Sequence, residues 1–427
     1  MSALIIFLLL TVLMLTGMPV SISLGLTVLS FLFFFTEVPL ESVALKLFTG
    51  IEKFEIMAIP FFVLAGNFLT HGGVARRMID FATAMVGHLR GGLGMSSVFA
   101  CALFAAVSGS SPATVVAIGS IMIPAMMKVG YPKEFGAGVV ASAGGLGVLI
   151  PPSIVMVMYA VSTNSSIGAL FMAGVVPGLL CALMLGFTTW WVARKGDYPR
   201  EPKRSLKEVW VAFRRAIWGL ALIIVVMGGI YSGMFTPTEA AAMSAVYAFF
   251  IAIFVYKDLK LSDVPKVLLN SANMSAMLLY IITNAVLFSF ILTNEQIPQG
   301  IAQWIMDSGM GMIGFLIAVN ILLLVLGSFM EPSSVILITA PILFPIAMKL
   351  GIDPIHFGIM ITVNMEIGMI TPPVGLNLYV ASGIAKMGLT AMAKSVWPWL
   401  LTMLVFLMLV TYVPIISTWL PTALGMM

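Results

Sequence analysis

The stretch Gly144-Gly145-Leu146-Gly147-Val148-Leu149-Ile150-Pro151-Pro152 lies inside one long apolar run, and Glu366-Ile367-Gly368-Met369-Ile370-Thr371-Pro372-Pro373 lies inside another. A helix cannot run through a Pro-Pro pair undisturbed, because proline lacks an N–H and clashes with the preceding turn, so two broken membrane helices are expected. The second pair follows the first by 221 positions. The same offset aligns Ile121 with Ile342, Pro124 with Pro345, Met127 with Met348, Lys128 with Lys349, Gly130 with Gly351 and Pro177 with Pro398. The chain therefore carries an internal repeat, and unwound helices at matching positions of two halves point to a transporter binding site.

Composition fixes the solvent. Of 427 residues, 61% are hydrophobic and 9% charged, against roughly 25% charged in soluble domains. Apolar stretches of about 20 residues recur from end to end, each long enough to cross a ~30 Å hydrocarbon core. The expectation is an all-α polytopic membrane protein, a single integral membrane domain over 1–427. Within it, 1–193 reads as the first repeat, 194–218 as a basic linker with an interfacial helix, and 219–427 as the second repeat. Leu4 to Phe35 reads as a retained span kinked at Pro19, since it lacks the basic leader and small-residue cleavage site of a secretory signal. The formal net charge of +4 reports loop topology, and no nucleic-acid partner is expected. Cys101 and Cys181 lie in apolar runs and read as reduced core residues. The 33 Met residues read as adaptable packing.

Loop charge orients the spans. Arg194, Lys195, Arg200, Lys203, Arg204, Lys207, Arg214 and Arg215 crowd between two spans, and the positive-inside rule makes that segment cytoplasmic. Two spans later, the basic loop Lys257 to Lys266 returns to the same side. Between them, Phe235-Thr236-Pro237-Thr238-Glu239 faces outward, with Glu239 read as a helix-start acid behind a Thr cap. Counting from these anchors, Arg76, Arg77, Arg90, Lys128 and Lys133 also fall inside. Val98 to Met127 then starts and finishes on the cytoplasmic side, with Ser108-Gly109-Ser110-Ser111-Pro112 near its middle, and reads as a re-entrant hairpin. Its counterpart Ile313 to Met348, centred on Gly327-Ser328-Phe329-Met330-Glu331-Pro332-Ser333-Ser334, opens to the outside, so the repeats are expected to be inverted. Non-helical backbone at membrane depth is tolerated only where protein or a watery cavity satisfies it, so both tips and both breaks should line an interior site. Interfacial helices are expected at Val74 to Leu89, at Gln296 to Asp307 and from Ser205, where Ser205-Leu206-Lys207-Glu208 is a capping-box pattern.

The tip Ser108 to Pro112 offers hydroxyls, free carbonyls and half-helix ends, which suit a hard monovalent cation or a carboxylate. The alternative is a tight turn whose Ser side chains satisfy its own backbone. Glu331 and Glu366 are the only acids in the deep apolar segments of the second half. An intramembrane carboxylate costs roughly 2.5 kcal/mol or more, so each is a functional candidate, for ion binding or protonation, set against a structural acid bonded to unwound backbone. Ser110 answers Glu331 by the offset, and Gly145 answers Glu366. Such acids repel an anionic substrate unless a cation binds nearby. Thr114, Ser153, Thr293, Asn364, Thr371, Asn377 and Tyr379 are further polar residues in these neighbourhoods, where a helix-to-helix hydrogen bond is the commoner role. Substrate contacts are expected among Ser110, Ser111, Thr114, Pro151, Ser153, Pro372 and Asn377. His71, His88 and His356 read as loop residues near span ends. No P-loop, HExxH or Cys/His cluster is present, so P-loop ATP hydrolysis and metalloenzyme chemistry are not indicated. The Ser-rich tip has no His or Lys partner for a hydrolase, and no catalytic residue is expected.

Ala106-Val107-Ser108-Gly109-Ser110-Ser111-Pro112-Ala113-Thr114, Gly147-Val148-Leu149-Ile150-Pro151-Pro152-Ser153, Leu170-Phe171-Met172-Ala173-Gly174, Gly233 to Ala240 and Asn364 to Gly375 together resemble the large membrane subunit of tripartite ATP-independent periplasmic (TRAP) transporters, over essentially the whole chain. The general run of sequence resembles the C4-dicarboxylate, DctM-type branch. The resemblance implies a sodium-driven elevator transporter with no bound cofactor, in a bacterial inner membrane, with a cytoplasmic N-terminus and a periplasmic C-terminus. It implies a small membrane subunit and a periplasmic substrate-binding protein as partners, a small organic acid anion as substrate, and contact with membrane lipid. It places one sodium between Ser108, Gly109, Ser110 and Gly144, Gly147, and another between Gly327, Ser328, Glu331, Ser333 and Glu366, Gly368, Thr371. The alternatives are a TRAP subunit for a sialic or sugar acid, a self-sufficient cation-coupled carrier or antiporter, and an intramembrane enzyme.

Overall fold

The computed structural model describes residues 2–36, 38–196, 198–309 and 311–427, and these form helices with no strand among them. The chain opens with α1 (Ser2–Leu15) and α2 (Val20–Phe35), joined by a corner in which Gly17 has φ +84°. Pro19 cannot continue the helical ladder, and Gly17 supplies the left-handed backbone of the corner. The single kinked span expected over Leu4 to Phe35 is thus corrected to two helices of 14 and 16 residues packed against each other. After α3 (Leu40–Thr49) come α4 (Ala58–His71) and α5 (Val74–Val86). The first hairpin is α6 (Gly92–Ser108) and α7 (Ser111–Val129). The first broken helix is α8 (Lys133–Ala143), α9 (Leu146–Leu149) and α10 (Ile154–Thr163), and α11 (Ile167–Arg194) follows.

The middle of the chain is α12 (Leu206–Tyr231), α13 (Pro237–Phe250), which continues as a π-helical turn Ile251–Val255, and α14 (Val264–Asn294). Then come α15 (Ile297–Asp307), the second hairpin α16 (Gly311–Phe329) and α17 (Pro332–Lys349), and the second broken helix α18 (Pro354–Gly368) and α19 (Leu376–Ala385). The chain closes with α20 (Leu389–Ser395), α21 (Trp397–Tyr412) and α22 (Ile415–Ala423). Among the described residues, nine helical runs are long and apolar enough to cross a membrane, or ten if the α20 and α21 pair, bent by 55°, counts as one.

The capping boxes form as their sequences predict. Ser205 N donates to Glu208 Oε2 and Glu208 N to Ser205 Oγ, and Thr236 and Glu239 do the same at the start of α13. The interfacial helix expected from Ser205 is not a separate element. It runs without a break into the next span, so α12 is one helix of 26 residues. At 1.5 Å per residue that is about 39 Å, longer than the ~30 Å hydrocarbon core. In the first turns of α12 Trp210 stacks on Phe213, and Phe213 meets Phe81 of α5.

Helix bounds follow the 221-residue offset. Shifted by 221, α7 falls on 332–350, α8 on 354–364 and α10 on 375–384, against the observed Pro332–Lys349, the start of α18 and Leu376–Ala385. Packing crosses between the repeats. Helix α10 lies on α17 of the second hairpin, and α19 lies on α7 of the first. Tyr159 of α10 donates its hydroxyl to Pro354 O at 2.7 Å, and Asn377 of α19 donates Nδ2 to Ser111 Oγ at 2.7 Å. Gly358 makes room for this lock, since a methyl there would lie 2.5 Å from the Tyr159 ring. Helices α4, α12, α13 and α14 pack alongside.

The interiors of the repeats differ. In the second, Asn364 Nδ2 donates to Asn320 Oδ1 (2.7 Å), Asn320 Nδ2 to Thr411 Oγ1 (3.1 Å), and the His356 ring lies 2.8 Å from Ser417 Oγ and 3.3 Å from Thr411 O. The offset maps Asn320, His356 and Thr411 onto Phe99, Phe135 and Trp190. A buried polar ladder thus stands where the first repeat has aromatic rings. His356, expected in a loop, is buried in α18, because Ser417 and Thr411 supply partners that its sequence neighbours do not show.

Tyr159→Phe removes one buried hydrogen bond between the repeats and should cost about 1 kcal/mol. A thermal melt of the purified protein in detergent should show a lowered midpoint with unchanged helix content. An unchanged midpoint would mean that this bond does not hold the repeats together.

Candidate functional site: two hairpin tips docked on two helix breaks

The first tip forms because Gly109 adopts φ +62° and ends α6, while Ser110 is extended and starts α7. The first break forms at Ile150, where the chain turns extended before the cis Pro151-Pro152 bond, and Ser153 caps α10 by accepting from Met156 N. Tip and break meet backbone to backbone. Ile154 N donates to Gly109 O at 3.4 Å. A methyl on Gly147 would sit 2.6 Å from Ser110 O, and one on Gly109 would sit 2.7 Å from Pro152 O. Only glycine permits that approach.

The second tip docks on the second break in the same manner. Val374 N and Gly375 N both donate to Ser328 O, at 3.2 and 3.1 Å. A methyl on Gly368 would sit 2.7 Å from Gly327 Cα. The second break also holds a cis Pro372-Pro373 bond. Each unwound segment thus supplies partners for the other's free backbone groups, which lipid could not do.

Oxygen atoms cluster at the first tip. Ser108 Oγ lies 3.0 Å from Thr114 Oγ1 and 3.4 Å from Ser110 O, and Thr114 Oγ1 donates to Ser110 O at 2.8 Å. Ser108 and Thr114 are buried and Ser110 is partly exposed. Three hard oxygens at the start of a half-helix form a donor set fit for a small monovalent cation. From the break, Gly147 faces the Ser110 backbone and Gly144 the Val115 side chain, and both are buried.

The other expected residues divide. Ser111, Thr114, Ser153 and Asn377 are buried and hydrogen-bonded inside the protein: Ser153 Oγ donates to Val148 O (2.6 Å), and Asn377 Nδ2 also reaches Ala141 O (3.2 Å). Ser110 and Thr371 are partly exposed and Pro372 is exposed, so they have free surface at the breaks. Pro151 instead lines an apolar cavity. Glu331 is the N-cap of α17, accepting from Ser334 N at 3.2 Å and from Ser333 Oγ at 2.8 Å. Its carboxylate thereby satisfies the positive helix start. Thr371 Oγ1 donates back to Ile367 O, and Ser328 Oγ to Val325 O.

Glu366 is fully buried and points at the first repeat. Cys181 Sγ lies 3.7 Å from its Oε1, its Oε2 has no partner, and a methyl on Gly145 would sit 2.7 Å from its Cγ. Gly145 and Glu366 are the positions that the offset pairs, so the glycine leaves the space the glutamate fills. Sequence reasoning did not foresee the Cys181 contact. Asn320 and Thr411 were also missed, and their one signal was polarity where the first repeat carries Phe99 and Trp190.

The sequence matches the family described as "Tripartite ATP-independent periplasmic transporter, DctM component" over residues 7–416. The chain belongs to the DctM family of TRAP transporter permeases. It is 71% identical, over all of both chains, to the C4-dicarboxylate TRAP transporter large permease protein DctM of Rhodobacter capsulatus. It is 57% identical to the DctM protein of Pseudomonas aeruginosa, covering 95% of each chain. The fold is shared with the YdaH transporter of Alcanivorax borkumensis, with a TM-score of 0.61, 16% identity, and 90% of this chain and 89% of that one covered. This DctM-family chain is therefore a transporter permease and not an enzyme.

Gly147→Ala and Gly368→Ala each press a methyl into a tip backbone, whereas a methyl on exposed Gly383 of α19 meets nothing within 4 Å. The first two should lower transport by about tenfold or more, the effect of ~1.4 kcal/mol of misplacement, in protein that still elutes as a single species. Gly383→Ala should transport normally. Full uptake by Gly147→Ala would show that close docking of the tip is dispensable.

Proposed function

We propose that this chain is the permease of a sodium-driven importer of C4-dicarboxylates such as succinate, fumarate and malate, working in a bacterial inner membrane. It receives substrate from a periplasmic binding protein and assembles with a small membrane subunit. The observation that carries this reading is the docking of both hairpin tips on both broken helices, which gathers the unwound backbone and the oxygen cluster of Ser108, Ser110 and Thr114 into the interlocked core. The relatives more than half identical to it carry the C4-dicarboxylate name.

The two hairpins and two broken helices then move as one body against α4, α12, α13 and α14, in the manner of an elevator. The basic loops at Arg194 to Arg215 and Lys257 to Lys266 lie in the cytoplasm. The repeats are inverted, and the hairpins open to opposite sides. Sodium sits at each tip and break pair, and its charge offsets the repulsion between Glu331, Glu366 and a dianionic substrate. Glu366 Oε2 has no partner, and among the described residues no salt bridge reaches its carboxyl group, so its charge is balanced by an ion or a proton.

Reconstituted in liposomes with both partner proteins, the chain should take up radiolabelled succinate only with an inward sodium gradient and the binding protein present. Uptake that needs neither would overturn this reading in favour of a self-sufficient carrier. In the same assay Glu366→Gln should change the sodium dependence of uptake, and an unchanged dependence would leave Glu366 as packing between the repeats.

A cytoplasmic N-terminus rests on one crossing by residues 4–35, whereas the packed pair α1 and α2 can fold back and leave Ser2 on the side of Pro39. Labelling of an Ala3→Cys variant in intact spheroplasts with a membrane-impermeant maleimide separates the two. No labelling until lysis supports the cytoplasmic end, and immediate labelling overturns it.

A further inference from the structure

A cavity of about 760 Å³ lies beside the first broken helix and takes no part in the tip contacts. One wall is α6 with the Ile150-Pro151 step, the second is α11, and the third is α12 with α22. Among the described residues that line it, Tyr231 alone has a polar side chain. A held water needs about two to four polar partners and this lining offers one hydroxyl, so ordered water is not the occupant.

A partner's helix does not fit either. One turn of helix with side chains fills roughly 500 Å³ (about 5.4 Å of rise at a diameter of ~10–12 Å), and a span needs about 20 residues, more than five turns. The cavity holds less than two turns. It suits a flexible alkyl chain.

The cavity also has a route to the hydrocarbon. Leu179, Leu183 and Phe187, spaced by four along α11, belong to its lining and are 58%, 71% and 65% exposed. They form a continuous apolar path from the cavity to the outer face of a span-length helix. At the far end Tyr231, the last residue of α12, is 52% exposed, and its hydroxyl suits the ester level of a bilayer. Two glycines keep the interior open. Nothing lies within 4 Å of a methyl built on Gly228, and one on Gly186 meets only the tip of Met95.

We propose that this cavity binds an acyl chain of a membrane phospholipid, which enters between α11 and α12 and leaves its glycerol ester region at Tyr231. The chain packs on Ile150 and Pro151, and the next residue, Pro152, carries the carbonyl against which Gly109 of the tip is seated. Lipid in this place braces the first break from behind, filling a void whose lining otherwise lacks contacts on one side.

The test uses the full chain in proteoliposomes containing phosphatidylethanolamine with a diazirine at mid-chain. After photolysis, peptide mass spectrometry should find adducts on Met95, Phe99 or Leu103 of α6, besides those on the outward residue Ile224. In Gly228→Phe, which plugs the cavity, the α6 adducts should fall to background while the Ile224 adducts persist. Gly186→Leu, plugging from the opposite wall, should do the same and covers the case that the first variant fails to fold. Adducts confined to outward faces in the unmodified chain, or α6 adducts that survive plugging in a folded variant, would overturn the proposal. Because the readout is cross-linking, the result does not depend on which substrate is carried.

Discussion

Backbone N–H and C=O groups at membrane depth must find partners within the protein, and this constraint governs the whole molecule. The chain breaks helices in two places and turns hairpins in two others, so four segments of irregular backbone need partners. It solves the problem by pairing them. Gly109 O takes the N–H of Ile154, and Ser328 O takes those of Val374 and Gly375. The contact is so close that side chains are excluded at Gly147, Gly109 and Gly368. At the first junction Ser108 Oγ, Thr114 Oγ1 and Ser110 O lie together, whereas at the second Ser328 Oγ and Thr371 Oγ1 turn back onto their own helices.

The crossed packing follows from the same economy. Each broken helix spends one half on its own tip and lays the other on the opposite hairpin, α10 on α17 and α19 on α7. Neither repeat can bury its own surfaces alone. Hydrogen bonds from Tyr159 to Pro354 and from Asn377 to Ser111 tie the two together. Within that shared plan the chemistry is unequal. Positions related by the offset meet as Gly145 and Glu366, so that the absence of a side chain in one repeat houses a carboxyl group from the other. Phe99, Phe135 and Trp190 answer Asn320, His356 and Thr411.

Much of this was legible in the chain. Helical hairpins, breaks and capping boxes follow local rules: proline removes a donor, glycine admits left-handed backbone, and Ser or Thr three residues before Glu closes a cap. Those rules act over a few residues and are read directly. The misses are of another kind. Leu4 to Phe35 is apolar enough for a single span, yet Gly17 and Pro19 let it fold as two helices, because composition does not say whether a corner is open or closed. The helix from Ser205 joins a charged, capped start to an apolar end, and only its uninterrupted backbone makes them one element. His356 looked like a loop residue since its partners, Ser417 and Thr411, are more than fifty positions away.

By itself the sequence determined the membrane class, the 221-residue repeat, the positions of tips and breaks, and the family, since each depends on hydropathy, on proline and glycine stereochemistry, or on motif order along the chain. The tertiary structure alone decided which tip meets which break, that Glu366 faces Cys181 and Gly145 of the other repeat, and that Glu331 caps α17. It also decided that Ser111, Ser153 and Asn377 are spent on internal hydrogen bonds. The physical reason is range. A hydrogen bond across 266 positions, as between Asn377 and Ser111, leaves no mark on the residues beside either end.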